Sequence, residues 1–382
     1  MSRPRVLIAG GGPVGLALAC ALGDFDVHVI ESSPRVTPRD GEFDLRIFAL
    51  SPGARAFLRE IGAWDRLDER RLQPVRRMEV SGDEGARLSF SARPGASLAW
   101  IVEAGRLAGA LEEQAASLAN VTIVRDAATE FTAGAAGASV SLQSGGRIEG
   151  DLLVGADGPG SQVRSKLGLA SVEEPYGEAA VVANFATALE HGAVARQWFR
   201  PDGILAWLPL PGKRISIVWS APASVADTLA ALEPAQLEKR LREAGESTLG
   251  EMTLVSGVAR FVLRSIRVHE SVAPGVALVG DAAHAVHPLA GQGVNLGFQD
   301  ARVLAGVLGQ RGALERPGDL RLLRRYARAR REDVTAMQFV THGLDKLFAA
   351  GNPGIRVLRN VGLRLVQSQP WITDALADRA MR

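Results

Sequence analysis

The feature that most constrains the fold of this chain is the order of segments in its first 31 residues. Residues 6–9 are a short apolar run that ends in three consecutive glycines. Residues 14–22 then read as a helix of small side chains, and residues 27–30 as a second buried strand. A strand, a tight turn, a helix and a strand in this order predict the start of a doubly wound parallel sheet.

The glycine turn carries the spacing G-x-G-x-x-G at Gly10, Gly12 and Gly15, directly after a strand and at the start of a helix. The first glycine permits the turn, the second lets the backbone approach a pyrophosphate, and the third allows the helix to pack closely on the strand. Glu31 ends the second strand, where its carboxylate is placed to accept hydrogen bonds from ribose hydroxyls. A purely structural turn is the alternative. The predicted dinucleotide contacts are Gly10, Gly12, Pro13, Val14, Gly15 and Glu31.

A second glycine-rich segment follows the apolar run at residues 276–279. The predicted strand delivers Asp281 to the edge of the sheet, where its carboxylate is placed to bind a ribityl hydroxyl; a helix cap is the alternative role. The next helix is predicted over residues 295–308, and its positive end would stabilise negative charge on a reduced flavin. The segment therefore predicts FAD in redox use. Its predicted contacts are Asp281, Pro288, Gly291, Gln292, Gly293, Val294 and Asn295.

Composition excludes several classes of function. The 44 basic and 42 acidic residues give a net charge of +2, and no sustained basic stripe suggests a nucleic-acid partner. Cys20 is the only cysteine, which excludes disulfides within the chain. His284 and His287 have no further ligand at metal-binding spacing, so no metal site is predicted. Without a cleavable leader or a run of about 18 apolar residues, we expect a cytoplasmic protein.

The order of segments predicts an α/β protein with a Rossmann-type FAD-binding domain, an inserted mixed-sheet substrate domain and a helical C-terminus. The predicted boundaries place the first part of the FAD-binding domain at residues 1–175 and the substrate domain at 176–268. The second part of the FAD-binding domain is predicted at 269–330, and the C-terminal helical region at 331–382.

Several motifs together resemble a known family. Two motifs are similar to signatures of the flavin-dependent aromatic hydroxylases related to p-hydroxybenzoate hydroxylase. They are Gly280 and Asp281 with residues 287–295, and Asp157-Gly158 with Ser161 and Arg164. Residues 44–46, 49–51 and 359–363 narrow the resemblance to the ubiquinone-biosynthesis hydroxylases.

The resemblance implies that Arg46 and Asp157 contact FAD. It also implies an enzyme that uses NAD(P)H and O2 to hydroxylate a polyprenylated phenol through a flavin C4a-hydroperoxide. One departure is the pair Ala104-Gly105, where the family often has polar residues, and this leaves open whether Arg106 takes over a cofactor contact. No second glycine fingerprint is present, so NAD(P)H is expected to bind transiently.

Three tryptophans fall on strands of the predicted inserted domain, where alternating side chains can line an apolar pocket. Trp198, Trp207 and Trp219 are therefore predicted to bind the substrate, with core packing as the alternative. The sequence identifies no catalytic base. Rival functions on the same scaffold are a flavin-dependent reductase, a halogenase or a non-catalytic flavin-binding subunit.

The C-terminal region carries two apolar stripes near several arginines. This pattern is typical of peripheral contact with the inner face of a membrane, and core packing or a homodimer contact is the alternative. Other ubiquinone-biosynthesis proteins are further candidate partners. The stripe residues are Met337, Val340, Leu344, Leu347, Phe348, Ile355, Leu358 and Leu365.

Overall fold

A computed structural model describes residues 3–34, 41–82, 87–285 and 293–349. Within these ranges the strands, in chain order, are β1 (Arg5–Ala9), β2 (Asp26–Ile30), β3 (Ile47–Leu50), β4 (Gln73–Val75), β5 (Arg77–Ser81), β6 (Arg87–Ser91), β7 (Ala99–Glu103), β8 (Val121–Val124), β9 (Ala128–Gly134), β10 (Gly137–Leu142), β11 (Arg147–Gly150), β12 (Leu152–Gly155), β13 (Ser171–Thr187), β14 (Val194–Arg200), β15 (Gly203–Leu210), β16 (Arg214–Pro222), β17 (Met252–Leu254), β18 (Ala259–Val268), β19 (Val272–Ala273), β20 (Val276–Leu278) and β21 (His284–Ala285).

The helices in the same ranges follow local signals in the sequence. Ser51 caps the second helix by accepting a hydrogen bond of 3.1 Å from the amide of Ala54. Residues 223–244 form two helices rather than one, because Pro234 lacks an amide hydrogen and begins the second helix. The helices are α1 (Pro13–Ala21), α2 (Pro52–Glu60), α3 (Ala104–Ala116), α4 (Gln162–Lys166), α5 (Ala223–Ala230), α6 (Pro234–Ala244), α7 (Gly293–Gly309) and α8 (Leu320–Ala349).

The first sheet has the strand order β19-β20-β12-β1-β2-β8 among the described residues, with β1 and β2 parallel to their neighbours. Successive residues of β1 are buried on opposite faces. Val6 and Ile8 join a core with α1, α3, α7 and α8, whereas Leu7 and Ala9 pack with the antiparallel strands β9 and β10. A parallel sheet buried on both faces confirms the predicted Rossmann-type domain.

The second sheet is mixed and larger, with the order β21-β18-β13-β16-β15-β14-β5-β6, and β17 also pairs with β13. Helices α5 and α6 cover one of its faces. The predicted boundaries assign the residues of β5 and β6 to the FAD-binding domain. In the structure these strands belong to the second sheet, because β5 pairs in parallel with β14. The small antiparallel sheet β3-β7-β4 lies beside both units and contacts β15.

The C-terminal region begins with the long helix α8, which crosses the predicted boundary at residue 331. No helix in the described part of the chain is long and apolar enough to span a bilayer. The stripe residues beyond Met337 lie outside the side chains that the structure describes.

Candidate active site

A cavity of about 1010 Å³ opens where the carboxyl ends of the parallel strands meet the second sheet. This is the edge at which doubly wound sheets bind ligands, and the volume lies at the upper end of small-molecule sites. The predicted cofactor residues that line it are Gly10, Gly12, Pro13, Val14, Glu31, Arg46, Asp157, Asp281, Gly293 and Val294. Pro288, Gly291 and Gln292 lie outside the described residues.

The three fingerprint glycines have different surroundings. Gly10 has a φ of +111°, and a Cβ there would lie 2.4 Å from the carbonyl oxygen of Ala156. A Cβ on Gly15 would lie 2.1 Å from the oxygen of Gly10, so helix and turn touch. A Cβ on Gly12 would meet no atom within 4 Å. The space beside Gly12, at the positive end of α1, therefore fits a pyrophosphate.

Glu31 is fixed at the rim of this space by backbone hydrogen bonds. Its carboxylate accepts from the amide of Gly11 at 2.8 Å and from the amide of Ser33 at 2.7 Å. A carboxylate has about four acceptor positions, so both oxygens retain capacity for further donors. The arrangement fits the ribose hydroxyls of an adenosine.

Asp281 lies on the opposite wall of the cavity, in the short 3-10 turn Gly280–Ala282 that follows β20. Burial raises the pKa of its carboxyl, and the neighbouring His284 and Arg46 partly offset that rise. The N-terminus of α7 lies close by, since a Cβ on Gly293 would be 3.8 Å from Oδ1 of Asp281. An acceptor and a positive helix end thus face the same space, which fits the ribityl and ring portions of FAD.

Replacing Asp281 with asparagine is expected to stabilise the apoprotein at neutral pH and to weaken FAD binding. Because the folded-state pKa is raised, ionising this carboxyl costs stability, and that cost grows as pH rises from the unfolded value near 3.8 through the folded pKa. Thermal unfolding of native and Asp281→Asn apoprotein from about pH 4 to pH 8 measures the difference. Equal melting curves at every pH would contradict the assigned cost.

Arg46 is an exposed cation on the cavity wall, and its backbone is held by Asp44. The Asp44 carboxylate accepts hydrogen bonds from the amide of Arg46 at 3.0 Å and from the amide of Gly105 at 2.9 Å. Asn184 of β13 donates from its side chain to the carbonyl oxygens of Phe43 and Asp44. The Asp44-Leu45-Arg46 motif therefore orients Arg46, a role of Asp44 and Asn184 that sequence reasoning missed.

Arg106 does not line the cavity. Its Nε lies 3.2 Å from Oε2 of Glu103, a carboxylate that is 2% exposed and also binds Arg71 through both oxygens. The Glu103 side chain accepts a further hydrogen bond from the amide of Asp44. The structure thus places Arg106 in an ion cluster with Glu103 and Arg71 that adjoins the Arg46 segment, and a contact of Arg106 with the cofactor stays a prediction.

Asn295 is likewise turned away from the cavity. Its side chain is buried, accepts from the amide of Ser51 at 3.0 Å and donates to the carbonyl oxygen of Ala49 at 2.9 Å. These bonds join the first turn of α7 to the end of β3 and the start of α2. The side chain of Asn295 positions α7 through these bonds, and a contact of its backbone with the flavin stays a prediction.

Asp157 lines the cavity, but its carboxylate accepts hydrogen bonds from the start of α4. It accepts from Oγ of Ser161 at 2.5 Å and from the amides of Gln162 and Val163. Arg164 of this helix is 4% exposed and donates to the carbonyl oxygen of Ala282 at 3.0 Å. The middle motif therefore supports the turn that carries Asp281.

The three tryptophans pack on the face of the second sheet that α5 and α6 cover. Trp207 and Trp219 are 1% and 0% exposed, and Trp198 joins the same core. Trp219 pairs with Val181 on this face. Val218 pairs with Val182 on the other face, and Val218 and Val182 line the cavity. The expectation that the tryptophans line the pocket is corrected. The alternation of side chains along a strand shows which residues share a face, but not which face the helices cover.

The sheet side of the cavity includes apolar residues that sequence reasoning did not select, beside the charged Glu173 and Arg264. Ala180 and Val182 of β13, Val218 of β16 and Phe261 of β18 form this wall. These apolar side chains in the same cavity as Asp281 fit an aromatic ring. Polar groups at the cavity ends and an apolar wall between them are the usual composition of a small-molecule site.

Comparison with known proteins agrees with this geometry. Residues 3–340 match the FAD binding domain family. The chain is 35% identical to 3-demethoxyubiquinol 3-hydroxylase of Escherichia coli (strain K12), over 94% of this chain and 93% of the relative. It is 32% identical to the mitochondrial ubiquinone biosynthesis monooxygenase COQ6 of Homo sapiens, over 94% and 88% of the two chains.

The fold is also that of a solved flavoprotein. The crystal structure of Klebsiella pneumoniae HpxO complexed with FAD and uric acid superposes with a TM-score of 0.78, at 20% identity, over 99% of this chain and 97% of that one. Fold, cofactor cradle and relatives agree with the predicted resemblance and confirm it. The chain belongs to the FAD binding domain family, as an FAD-dependent monooxygenase in the group of the ubiquinone-biosynthesis hydroxylases.

Proposed function

We propose that this protein hydroxylates the aromatic ring of a polyprenylated phenol in ubiquinone biosynthesis. The observation that carries the proposal is the cavity itself, which brings Glu31, Arg46 and Asp281 together with apolar residues of β13 and β16. The relatives named above, a 3-demethoxyubiquinol 3-hydroxylase and a ubiquinone biosynthesis monooxygenase, support hydroxylation in the same pathway.

The bound FAD, once reduced by a transiently bound NAD(P)H, supplies the oxygen-activating chemistry. The chain's own residues bind and orient. Gly12 and the start of α1 hold the pyrophosphate, Glu31 holds the ribose, and Asp281 faces the flavin end of the cavity. Ala180 and Val182 present no polar group, so this wall excludes water from the reacting ring.

The rim of the cavity offers a path for an isoprenoid tail. Phe261 and Val262 of β18 line the cavity and are 45% and 56% exposed, which is unusual for large apolar side chains. A prenyl chain that leaves the cavity over this rim would cover them. Peripheral contact with a membrane would then shorten the transfer of such a substrate from the bilayer.

The test is transfer of oxygen from labelled O2 to a short-chain prenylated phenol by the purified FAD-loaded protein with NAD(P)H. We expect the label in one new ring hydroxyl, with oxygen consumption that depends on the phenol. A reaction without phenol is the control, because uncoupled flavoproteins also oxidise NAD(P)H. Reduction of the phenol or its halogenation would support the rival enzymes, and binding of FAD without turnover would support a scaffold role.

Analysis of lipids from cells that lack the protein identifies the ring position. We expect an under-hydroxylated prenyl phenol to accumulate and ubiquinone to fall. Normal ubiquinone with no accumulated precursor would contradict the proposed pathway. Complementation with the native chain is the control, since it should restore ubiquinone.

A further inference from the structure

A buried cluster of ionisable side chains lies directly behind the wall that carries Asp281. Asp300 of α7 is 0% exposed, and His284 and Arg330 are 6% and 4% exposed. Burying charges in a protein interior is costly unless each has partners. Three such groups in one place, outside the lining of the cavity, therefore call for a specific role.

The Asp300 carboxylate connects the elements of this cluster. Its Oδ2 accepts a hydrogen bond of 2.9 Å from the amide of Gly280 and lies 2.6 Å from Nε2 of His284. Its Oδ1 accepts a hydrogen bond of 2.7 Å from Nε of Arg330 on α8. One side chain thus ties α7 and α8 to the residue that immediately precedes Asp281.

Gly280 is the flexible point of this turn, because glycine adopts its left-handed backbone, with a φ of +61°, as readily as other conformations. A Cβ at this position would lie 3.3 Å from a methyl group of Val14, so the turn is also pressed against α1. The direction in which Asp281 leaves the turn depends on this backbone conformation. A shift of the Gly280 amide would move the Asp281 carboxylate within the cavity.

The charge state of Asp300 is suited to this task. Burial alone would raise its pKa, but the adjacent His284 and Arg330 cations hold the pKa below its usual value. The carboxylate is therefore ionised and offers both oxygens as acceptors. A hydrogen bond to an ionised acceptor is roughly twice as strong as a neutral one.

We propose that Asp300 is a positioning residue for FAD: through the Gly280 amide it sets the direction of Asp281 into the cavity, with Arg330 of α8 as its counter-charge. Asp300 itself does not touch the cavity. Its effect on the cofactor passes through Asp281, and the contact between Arg330 and Asp300 links α8 to the flavin site.

A double-mutant cycle in FAD affinity tests the proposal, since it rests on binding and not on turnover. Asp281→Ala, Asp300→Ala and the double variant are prepared as apoproteins and titrated with FAD. If Asp300 acts through Asp281, each single change weakens binding about tenfold or more, and the double variant binds within about threefold of Asp281→Ala. Losses that multiply in the double variant would overturn the proposal.

A second pair of variants separates the acceptor from the charge. Asp300→Asn with Arg330→Leu is neutral at both sites and keeps an oxygen for the Gly280 amide, whereas Asp300→Ala with Arg330→Leu is equally neutral and lacks it. We expect the asparagine pair to bind FAD within about threefold of the native protein and the alanine pair at least tenfold more weakly, a gap of 1.4 kcal/mol or more. Equal FAD affinity of the two pairs would contradict the proposed positioning.

The matched control is Asp333→Asn. Asp333 binds Nη1 of the same arginine at 3.0 Å but is 54% exposed and has no bond to Gly280 in the described residues. This variant should bind FAD as the native protein does. If Asp300→Ala does not fold, the cycle is run in the Arg330→Leu background, where no arginine is left without its counter-charge. An FAD affinity loss for Asp333→Asn equal to that of Asp300→Ala would assign the effect to Arg330 and reject the proposal.

Discussion

Gly12→Val is expected to give a folded protein that does not retain FAD. The backbone of Gly12 is extended, with a φ of −71° and a ψ of 175°, and a Cβ there meets no protein atom within 4 Å. Valine therefore fits the chain, but its side chain fills the space where the pyrophosphate approaches the start of α1. Absorbance of the purified protein near 450 nm and titration of the apoprotein with FAD measure the loss.

Two glycine variants serve as controls for Gly12→Val. Gly23→Val lies at an exposed position with no neighbour within 4 Å and should retain FAD. Gly15→Ala should instead unfold at lower temperature, because its Cβ would lie 2.1 Å from the Gly10 oxygen. A yellow Gly12→Val protein with native FAD affinity would contradict the assigned pyrophosphate site.

Trp219→Ala is expected to lower the free energy of unfolding by about 3 to 5 kcal/mol, the usual cost of removing a buried tryptophan. Trp219 is 0% exposed and packs in the core between the second sheet and its helices. The folded fraction should bind FAD normally, since Trp219 points away from the cavity. Denaturant unfolding followed by circular dichroism, with FAD titration below the transition, measures both effects.

Val218→Ala is the matched comparison, because Val218 precedes Trp219 on the same strand and lines the cavity. We expect a smaller loss of stability from this change and a weaker interaction with the phenol. If Trp219→Ala altered phenol binding while the stability remained native, the assignment of the tryptophans to the core would be wrong.

Much of the fold follows from local sequence signals. The strand, glycine turn and helix at the start of the chain are as predicted, because a Cβ on Gly15 would meet the Gly10 oxygen of the same turn and Gly12 leaves open space beside it. The helix that begins at Pro52 follows its Ser51 cap, and the antiparallel strands β9 to β11 pair with strands next to them in sequence. These elements depend on contacts between residues close in sequence, which periodicity and turn chemistry describe.

The differences concern long-range partners. The side chain of Asn295 binds residues nearly 250 positions earlier, as the separations of 244 and 246 for Ser51 and Ala49 show. Arg106 is drawn to Glu103, whose burial depends on Arg71 and Asp44. A sequence motif marks such residues without stating which way the side chain points. Asp300 had no local signal at all, because its role depends on Gly280 and on a helix that follows it.

The recruitment of β5 and β6 into the second sheet limits how this protein is divided or recombined. A fragment of residues 171–285 would expose the edge of β14 that β5 covers by pairing in parallel from Val194 to Trp198. A chimaera that exchanges the substrate-facing sheet with a relative must therefore also carry residues 77–91. During synthesis β5 cannot pair with β14 until the chain has been extended by more than 100 residues beyond β6.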